Sequence, residues 1–181
     1  MTKEDFKKKF RKDSLNLLKR VSNLPTYKIE KIILSQLYQT ITDKKAKNIM
    51  LYIPLKLEVN LYPLINKLRK EGKNIFVPFM ELSSFRLVKY RLPLKTKKFG
   101  IKEPNYSNQY RVKKIDIAIV PIIGIDKTYR RIGFGKGIYD RFFEQENKNI
   151  QETIFVTKKL CYSSIEITND YDIRADIIIS A

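Results

Sequence analysis

The sequence lacks histidine and tryptophan, and it contains a single cysteine, Cys161. One cysteine cannot form a disulfide within the chain, which favours a reducing compartment. Without histidine and with only one thiol, the chain also lacks the ligands that zinc usually takes in proteins. We therefore expect any bound metal to be a hard cation held by oxygen atoms, such as Mg²⁺.

Long apolar runs are also missing. No stretch reaches the length of a membrane span, and no apolar leader follows the lysine-rich first ten residues, "MTKEDFKKKF". We expect a cytoplasmic protein with no membrane partner. With 181 residues, 43% of them hydrophobic, residues 1–181 are predicted to fold as one domain with a substantial core.

Acidic residues are few: 19 Asp and Glu stand against 37 Lys and Arg, a net charge of +18. This balance suits an anionic partner, such as nucleic acid, acidic lipid or a phosphorylated small molecule. The alternative is solvated surface charge, because lysines occur in every segment. No aromatic RNA-binding pair, KH loop or zinc pattern is present, so we expect no nucleic-acid partner. A basic nucleic-acid-binding protein remains the alternative function.

The apolar pattern predicts alternating strands and helices after two N-terminal helices. Strands are predicted at 48–54, 74–80, 84–92, 115–121, 153–159 and 175–180, with helices at 61–72 and 138–146 between them. Strand–helix–strand units favour a parallel sheet. We predict an α/β fold, a three-layer α/β/α sandwich with a mostly parallel (mixed) sheet, resembling the sugar-phosphate isomerase and CoA-transferase-like architecture. Such sheets bind ligands at the carboxyl ends of their strands.

Glycine is scarce, yet three of the six glycines, Gly133, Gly135 and Gly137, lie within five residues. Glycines at alternate positions let backbone amides approach an anion closely, and a helix predicted to start near Gly137 adds its free N–H groups. Arg131 and Lys136 add positive charge, so the pattern suits a polyphosphate. The spacing is neither a Walker A loop nor a dinucleotide fingerprint. The alternative is a tight turn with incidental surface charge.

The longer stretch "IVPIIGID…RRIGFGKGIYDRF" resembles the signature of the 5-formyltetrahydrofolate cyclo-ligase family, also called 5,10-methenyltetrahydrofolate synthetases. The matching residues are Pro121, Asp126, Arg131, Gly133, Gly135, Gly137, Tyr139, Asp140 and Arg141. Further matches are Lys7 and Arg11, Glu58 before a helix, "FGIKEP" at 99–104, and the closing pair Asp172 and Asp176. Two positions depart from the pattern: Tyr171, where histidine is frequent, and Ile122, where glycine is common.

The resemblance implies an enzyme that cyclises 5-formyltetrahydrofolate to 5,10-methenyltetrahydrofolate. ATP would be the co-substrate and Mg²⁺ the metal, with ADP and phosphate released through a phosphorylated formyl (imidate phosphate) intermediate. This chemistry needs positioning and charge neutralisation more than a base, so the lack of histidine is no obstacle. The glutamate tail of the folate offers one use for the basic surface. We expect a monomer. Another phosphate-handling enzyme on a similar fold is the alternative.

The resemblance also implies the site residues. The ATP-binding residues would be Lys7, Arg11, Arg131, Gly133, Phe134, Gly135, Lys136, Gly137, Ile138 and Tyr139, with Arg131 and Lys136 catalytic. The folate would contact Ile53, Glu58 and Phe99, and the metal ligands would be Asp140 and Asp176.

For several of these residues the sequence leaves another interpretation open. Lys7 and Arg11 share a helical face, which could be a solvated one. Asp140 could simply stabilise a helix N-terminus, and Phe99 could belong to the core. Asp176 lies at the amino end of the last predicted strand, and it reaches the glycine cluster only if that strand runs antiparallel.

Overall fold

A computed structural model describes residues 2–97, 100–105 and 114–181 of the chain. The helices are α1 (Lys3–Ser22), α2 (Tyr27–Asp43), α3 (Tyr62–Lys70) and α4 (Ile138–Glu146). The strands are β1 (Asn48–Met50), β2 (Asn74–Glu81), β3 (Ser84–Lys89), β4 (Lys95–Thr96), β5 (Lys102–Glu103), β6 (Ile117–Pro121), β7 (Gly124–Asp126), β8 (Arg131–Ile132), β9 (Thr153–Val156), β10 (Tyr162–Ser163) and β11 (Ile177–Ile179). Within these ranges no helix is both long and apolar enough to cross a bilayer.

The central sheet has six strands in the order β11-β9-β6-β1-β2-β3. Neighbouring strands from β11 to β2 pair in parallel, and only β3 is antiparallel, paired with β2. The predicted mostly parallel, mixed sheet is therefore confirmed. The antiparallel strand is β3 at one edge, whereas β11 at the other edge is parallel to β9.

Side chains that alternate along the strands form a hydrophobic core on each face of the sheet. In β6, Ile117 and Ile119 belong to the cluster that α2 and α3 cover, while Ala118 and Val120 belong to the cluster that contains Phe142 of α4. Because successive residues of a strand point to opposite faces, a run of apolar residues is buried on both sides. These two clusters account for the three-layer arrangement.

Local sequence signals explain where the helices begin and end. Thr2 and Asp5 form a capping box at the start of α1, in which the Thr2 hydroxyl accepts from the Asp5 amide at 3.2 Å. In α3, Pro63 occupies the first turn, where its missing N–H has no helical partner to lose. Gly72 follows α3 with φ +75°, the left-handed conformation that ends many helices.

A small second sheet, in the order β10-β7-β8, lies beyond the carboxyl end of β6 and was not predicted. Its strands have two or three residues, too few to show a period in the sequence. β8 carries Arg131, whose amide donates to the carbonyl of Ile173 at 2.7 Å. The C-terminal segment and the residues before the glycine cluster are thereby held together at this edge.

Candidate active site

A pocket of about 400 Å³ lies where α1, the glycine loop (residues 132–137), α4 and the C-terminal segment meet. Its lining residues are Glu4, Lys7, Arg11, Arg131, Gly133, Gly135, Gly137, Asp140, Arg141, Glu144, Tyr171 and Asp172. The Nε of Arg131 donates to the carbonyl of Pro121, the last residue of β6, at 3.1 Å. The pocket therefore lies at the carboxyl end of the sheet, where ligands bind in open α/β folds.

The two cations of α1 are fixed by contacts distant in sequence. Lys7 is only 6% exposed, and its Nζ pairs with Oδ2 of Asp172 at 2.5 Å. The same carboxylate oxygen accepts from the amide of Asn169 at 2.7 Å. The Nε of Arg11 donates to the carbonyl of Gly133 at 2.9 Å. The interpretation of Lys7 as part of a solvated helix face is therefore wrong.

Gly133 and Gly135, the first two loop glycines, leave space for the side chains of Arg131 and Arg11. A Cβ placed on Gly133 would lie 2.5 Å from Cζ of Arg131, too close for real atoms. A Cβ placed on Gly135 would lie 3.3 Å from Cζ of Arg11, and Gly135 has φ +91°, which side-chain-bearing residues rarely adopt. The absence of side chains here lets two guanidinium groups approach the backbone.

The third glycine, Gly137, makes the transition from the loop to α4. It has φ +62° and is the N-cap of the helix, and a Cβ there would lie 2.7 Å from Nη1 of Arg141. Arg141 donates to the carbonyl of Lys136 and to that of Ser83, both at 2.6 Å. Arg141 therefore connects the end of the loop to the turn between β2 and β3.

Arg131 is as enclosed as Lys7, with 6% of its surface exposed. Its Nη1 lies 3.9 Å from Oδ2 of Asp140, and its Cζ lies 4.7 Å from the ring centre of Tyr139. Burial lowers the pKa of Arg131, and the charges of Asp140, Glu58 and Asp172 oppose that shift. A guanidinium starts from so high a value that it stays charged, so a full positive charge is held in the pocket.

Asp140 lies in the first turn of α4, as predicted, and one of its two carboxylate oxygens is available to a ligand. Its Oδ1 is buried and has no hydrogen-bond partner in the part of the chain that the structure describes. A buried carboxylate oxygen without a donor is costly, and a cation would satisfy it. No group of three or more His, Cys, Asp or Glu forms a metal site among the described residues. Mg²⁺ fits this setting, because it needs only one or two carboxylates beside phosphate and water oxygens.

Comparison with known proteins identifies the family. Residues 3–170 match the sequence model of the 5-formyltetrahydrofolate cyclo-ligase family. The chain belongs to this family. The family and enzyme class predicted from the sequence, a 5-formyltetrahydrofolate cyclo-ligase, are therefore confirmed.

Relatives and a solved structure are similar over most of the chain. The 5-formyltetrahydrofolate cyclo-ligase of Haemophilus influenzae is 29% identical over 153 residues, which cover 81% of this chain and 80% of that protein. The Mycoplasma genitalium protein of the same name is 31% identical over 141 residues, covering 77% and 75%. The structure of Aquifex aeolicus 5,10-methenyltetrahydrofolate synthetase superposes with a TM-score of 0.76 at 28% identity, covering 96% of this chain and 89% of that one.

In this cyclo-ligase, Asp176 does not reach the pocket. Its Oδ2 accepts from the amide of Thr153 at 2.7 Å, and its own amide donates to the Thr153 carbonyl at 2.9 Å. These bonds join the amino ends of β9 and β11, and because the two strands are parallel, Asp176 lies at the edge of the sheet opposite the glycine loop. Of the closing pair of aspartates, Asp172 lines the pocket instead.

Glu58 lies in the connection between β1 and α3, within electrostatic reach of Arg131. Its Oε2 accepts from the amide of Leu55 at 2.8 Å. Burial raises the pKa of Glu58 to about 7, although Arg131 and Lys158 attract its ionised form. Ile53 is half-buried and packs against the core cluster that includes Ile49 and Leu51. Phe99 lies outside the described residues.

Other predicted ATP-binding residues of the cyclo-ligase are not in the lining. Phe134 and Lys136 are exposed on the loop. Ile138 and Tyr139 pack against the second core cluster, and the ring of Tyr139 meets that of Phe85 edge-on with centroids 5.1 Å apart. Tyr171, where the family pattern often has histidine, lines the pocket and is 71% exposed.

Asp126, which belongs to the family motif, holds neighbouring segments of the chain together through hydrogen bonds. It is completely buried, and its Oδ1 accepts from the amide and hydroxyl of Thr128. Its Oδ2 accepts from the amides of Ile167 and Thr168 and from the Thr168 hydroxyl. Burial opposes ionisation, but these hydrogen bonds together hold the pKa of Asp126 well below its usual range. Asp126 thus fastens the segment that leads to Asp172.

Lys158 could not be singled out from the sequence, because it is one lysine among many. It follows β9 by two residues, is 6% exposed, and pairs with Glu30 of α2 at 3.2 Å. Its position directly after a buried strand, at the carboxyl edge, is the one sequence signal that could have distinguished it.

Proposed function

We propose that this chain catalyses the ATP-dependent cyclisation of 5-formyltetrahydrofolate to 5,10-methenyltetrahydrofolate, with release of ADP and phosphate. The observation that carries the proposal is the position of Arg131. Its buried guanidinium lies 3.9 Å from Asp140 and is also within electrostatic reach of Glu58, which is not among the residues that line the pocket. A phosphate held in the pocket and a folate held at Glu58 would meet at this one cation.

The pocket supports a polyphosphate subsite. The backbone N–H groups of the glycine loop and the N-terminus of α4 suit an anion, and Lys7, Arg11 and Arg131 surround the same space. Lys136, exposed on the loop, is free to turn its ammonium toward a bound phosphate. Of the predicted ATP-binding residues, Phe134 and Ile138 would contribute backbone amides, and Tyr139 would hold Arg131 in place through its ring.

Asp140 and Asp172 would hold the magnesium ion, through the unpartnered Oδ1 of Asp140 and the pocket-facing carboxylate of Asp172. When bound there, Mg²⁺ would neutralise phosphate charge. Lys7 already neutralises the carboxylate of Asp172. The pair of carboxylates, Asp140 and Asp172, therefore repels an incoming polyphosphate less. The residues of the pocket therefore match a magnesium-bound nucleotide in both charge and donor type.

The chemistry follows from this placement. The formyl oxygen attacks the γ-phosphorus and ADP leaves, which gives the imidate phosphate. N10 then attacks the activated formyl carbon, the five-membered ring closes, phosphate departs, and the proton of N10 is lost to solvent. Negative charge spreads over the transferring phosphoryl group, where Arg131 and Lys136 would stabilise it. No step needs a histidine base.

The folate subsite would be built around Glu58. A carboxylate accepts hydrogen bonds from two N–H donors of the pterin at once, and a pKa of about 7 leaves that carboxylate largely ionised above neutral pH. Ile53 would pack against the ring system. The glutamate tail would then extend toward basic surface.

The test is direct. The purified protein is mixed with 5-formyltetrahydrofolate, ATP and Mg²⁺, and the methenyl product is followed by its near-ultraviolet absorbance. Product should form only when all three are present, and a non-hydrolysable ATP analogue should give none. Equal product formation without ATP refutes the proposal.

A further inference from the structure

The connection that carries Glu58, residues 51–61, is stabilised from within, and we call it the Glu58 loop. The hydroxyl of Tyr52 donates to the carbonyl of Val59 at 3.1 Å, and Tyr52 is almost fully buried. The amide of Leu55 donates to the Glu58 carboxylate at 2.8 Å. These bonds give the loop its shape, but they do not fix its place against the rest of the protein.

Tyr52, Val59 and Leu61 pack into the first core cluster, and a polar contact from α2 also connects the loop to its neighbours. Oε1 of Glu30 accepts from the amide of Asn60, two residues after Glu58, at 3.2 Å. The same oxygen lies 3.2 Å from Nζ of Lys158, at the carboxyl end of β9. One carboxylate oxygen thus joins the Glu58 loop, α2 and the edge of the central sheet.

The pair is enclosed, since the side chains of Lys158 and Glu30 are 7% and 17% exposed. An ion pair so enclosed is weak evidence for a gain in stability, because apolar residues of similar size often serve the fold as well. The positive charge of Lys158 does, however, attract a negative group of the proposed folate subsite. Lys158 and Arg131 both attract the Glu58 carboxylate, Lys158 from beyond β9 and Arg131 from β8.

We propose that Lys158 and Glu30 are positioning residues for the folate substrate, and that the pair holds the Glu58 loop against α2 so that the Glu58 carboxylate meets the pterin. The inference rests on the proposed function. Neither residue lines the phosphate pocket, so the effect of the pair falls on folate binding and not on ATP binding.

The experiment compares three variants with the wild type. Lys158→Met removes the charge at similar length, Lys158→Arg keeps it, and Lys159→Met removes an equal charge from the exposed neighbouring residue. Lys158→Met should raise the KM for 5-formyltetrahydrofolate about tenfold, since a small misplacement of a binding group has large effects. The KM for ATP should stay within about twofold, which is the pattern of a loss confined to one substrate. Lys158→Arg should largely restore the folate KM, and Lys159→Met should behave as wild type.

A pH profile distinguishes positioning from general destabilisation. Glu58 has a pKa of about 7, and the groups that face it are Arg131, Lys158, Tyr52 and Tyr139. If its ionised form binds folate, the folate KM rises as pH falls through that value. Without Lys158 the pKa of Glu58 increases, so the rise should begin about one pH unit higher. A merely structural change would lower activity without shifting the pH at which the folate KM begins to rise.

Several outcomes overturn the inference. One is a Lys158→Met variant with a wild-type folate KM whose rise at low pH begins at the same pH as in the wild type. Another is an equal increase in the KM values for folate and for ATP. If Lys158→Met does not fold, Glu30→Gln supplies the test, with Glu152→Gln as control, because Glu152 pairs with Lys44 at 2.7 Å. The inference is also overturned if Glu30→Gln raises the folate KM no more than the control Glu152→Gln does. Wild-type protein that makes no methenyl product refutes the proposed function itself.

Discussion

Adding one methyl group at Gly133 should disable the site without unfolding the protein. Gly133 does not have the positive φ that would strain an alanine, so the effect of Gly133→Ala is purely steric. The new Cβ would lie 2.5 Å from Cζ and 2.6 Å from Nη2 of Arg131. An ordinary contact needs about 3.5 Å, so the guanidinium must move by about 1 Å.

Arg131 cannot move by that distance at no cost. It is 6% exposed, and its Nε donates to the carbonyl of Pro121 at 3.1 Å, which leaves little room before the bond is lost. An unpaired buried donor costs about 1–3 kcal/mol, a loss that a folded domain of this size tolerates. Displacement of a catalytic group by about 1 Å can lower the rate on the order of 10²-fold. We therefore expect kcat/KM to fall about a hundredfold while unfolding stays cooperative.

The assay is methenyl formation under saturating ATP, with thermal melts run in parallel. Gly72→Ala is the control, because Gly72 has φ +75° but nothing within 4 Å of a Cβ, so its alanine strains the backbone far from Arg131. The decisive comparison is a double-mutant cycle with Arg131→Ala. If Gly133 acts through Arg131, Gly133→Ala should add little to the loss caused by Arg131→Ala. The reasoning is refuted if the double mutant loses activity by the product of the two single-mutant factors. It is also refuted if Gly133→Ala has wild-type turnover.

Three further changes test the loop and its surroundings. Lys136→Met should lower kcat by roughly 10²- to 10³-fold and change the KM for ATP less, as steady-state kinetics will show; the reverse pattern would mean a ground-state contact. Asp140→Asn should raise the Mg²⁺ concentration needed at saturating ATP, and a titration curve that overlays the wild type would leave Asp140 as a helix-terminus residue. Asp126→Asn should lower the free energy of unfolding by about 3 kcal/mol at pH 7, because an amide cannot accept all its hydrogen bonds. The depressed pKa of Asp126 stabilises the fold above about pH 4, and this is lost as pH falls through the lower folded value, so urea melts at pH 3 should show a smaller difference.

The elements that frame the site could be predicted because their signals are local. The uncharged run of β6 and the glycines before α4 place the loop, and Asp140 falls in the first turn of α4 by counting residues. The strands of the second sheet, with two or three residues each, carry no such signal.

The partners of the site residues could not be predicted, because they are set by tertiary contacts. Lys7 meets Asp172 across 165 positions of sequence. Apolar periodicity identifies β11 but not its direction, and direction decides which of the two closing aspartates reaches the pocket. A parallel β11 places Asp176 at the far edge, whereas the preceding segment, fastened by Asp126, brings Asp172 to Lys7.

The glycines and arginines of this site work together. A glycine-rich loop can hold an anion with backbone N–H groups alone, which carry only partial charges. Here each loop glycine leaves out a side chain where a guanidinium comes close: Arg131 at Gly133, Arg11 at Gly135 and Arg141 at Gly137. The loop therefore brings full charges to the same place as its amides. It follows that substitutions at the three glycines should differ in effect, each resembling the loss of its own arginine, although all three would look alike if the loop served only as a flexible turn.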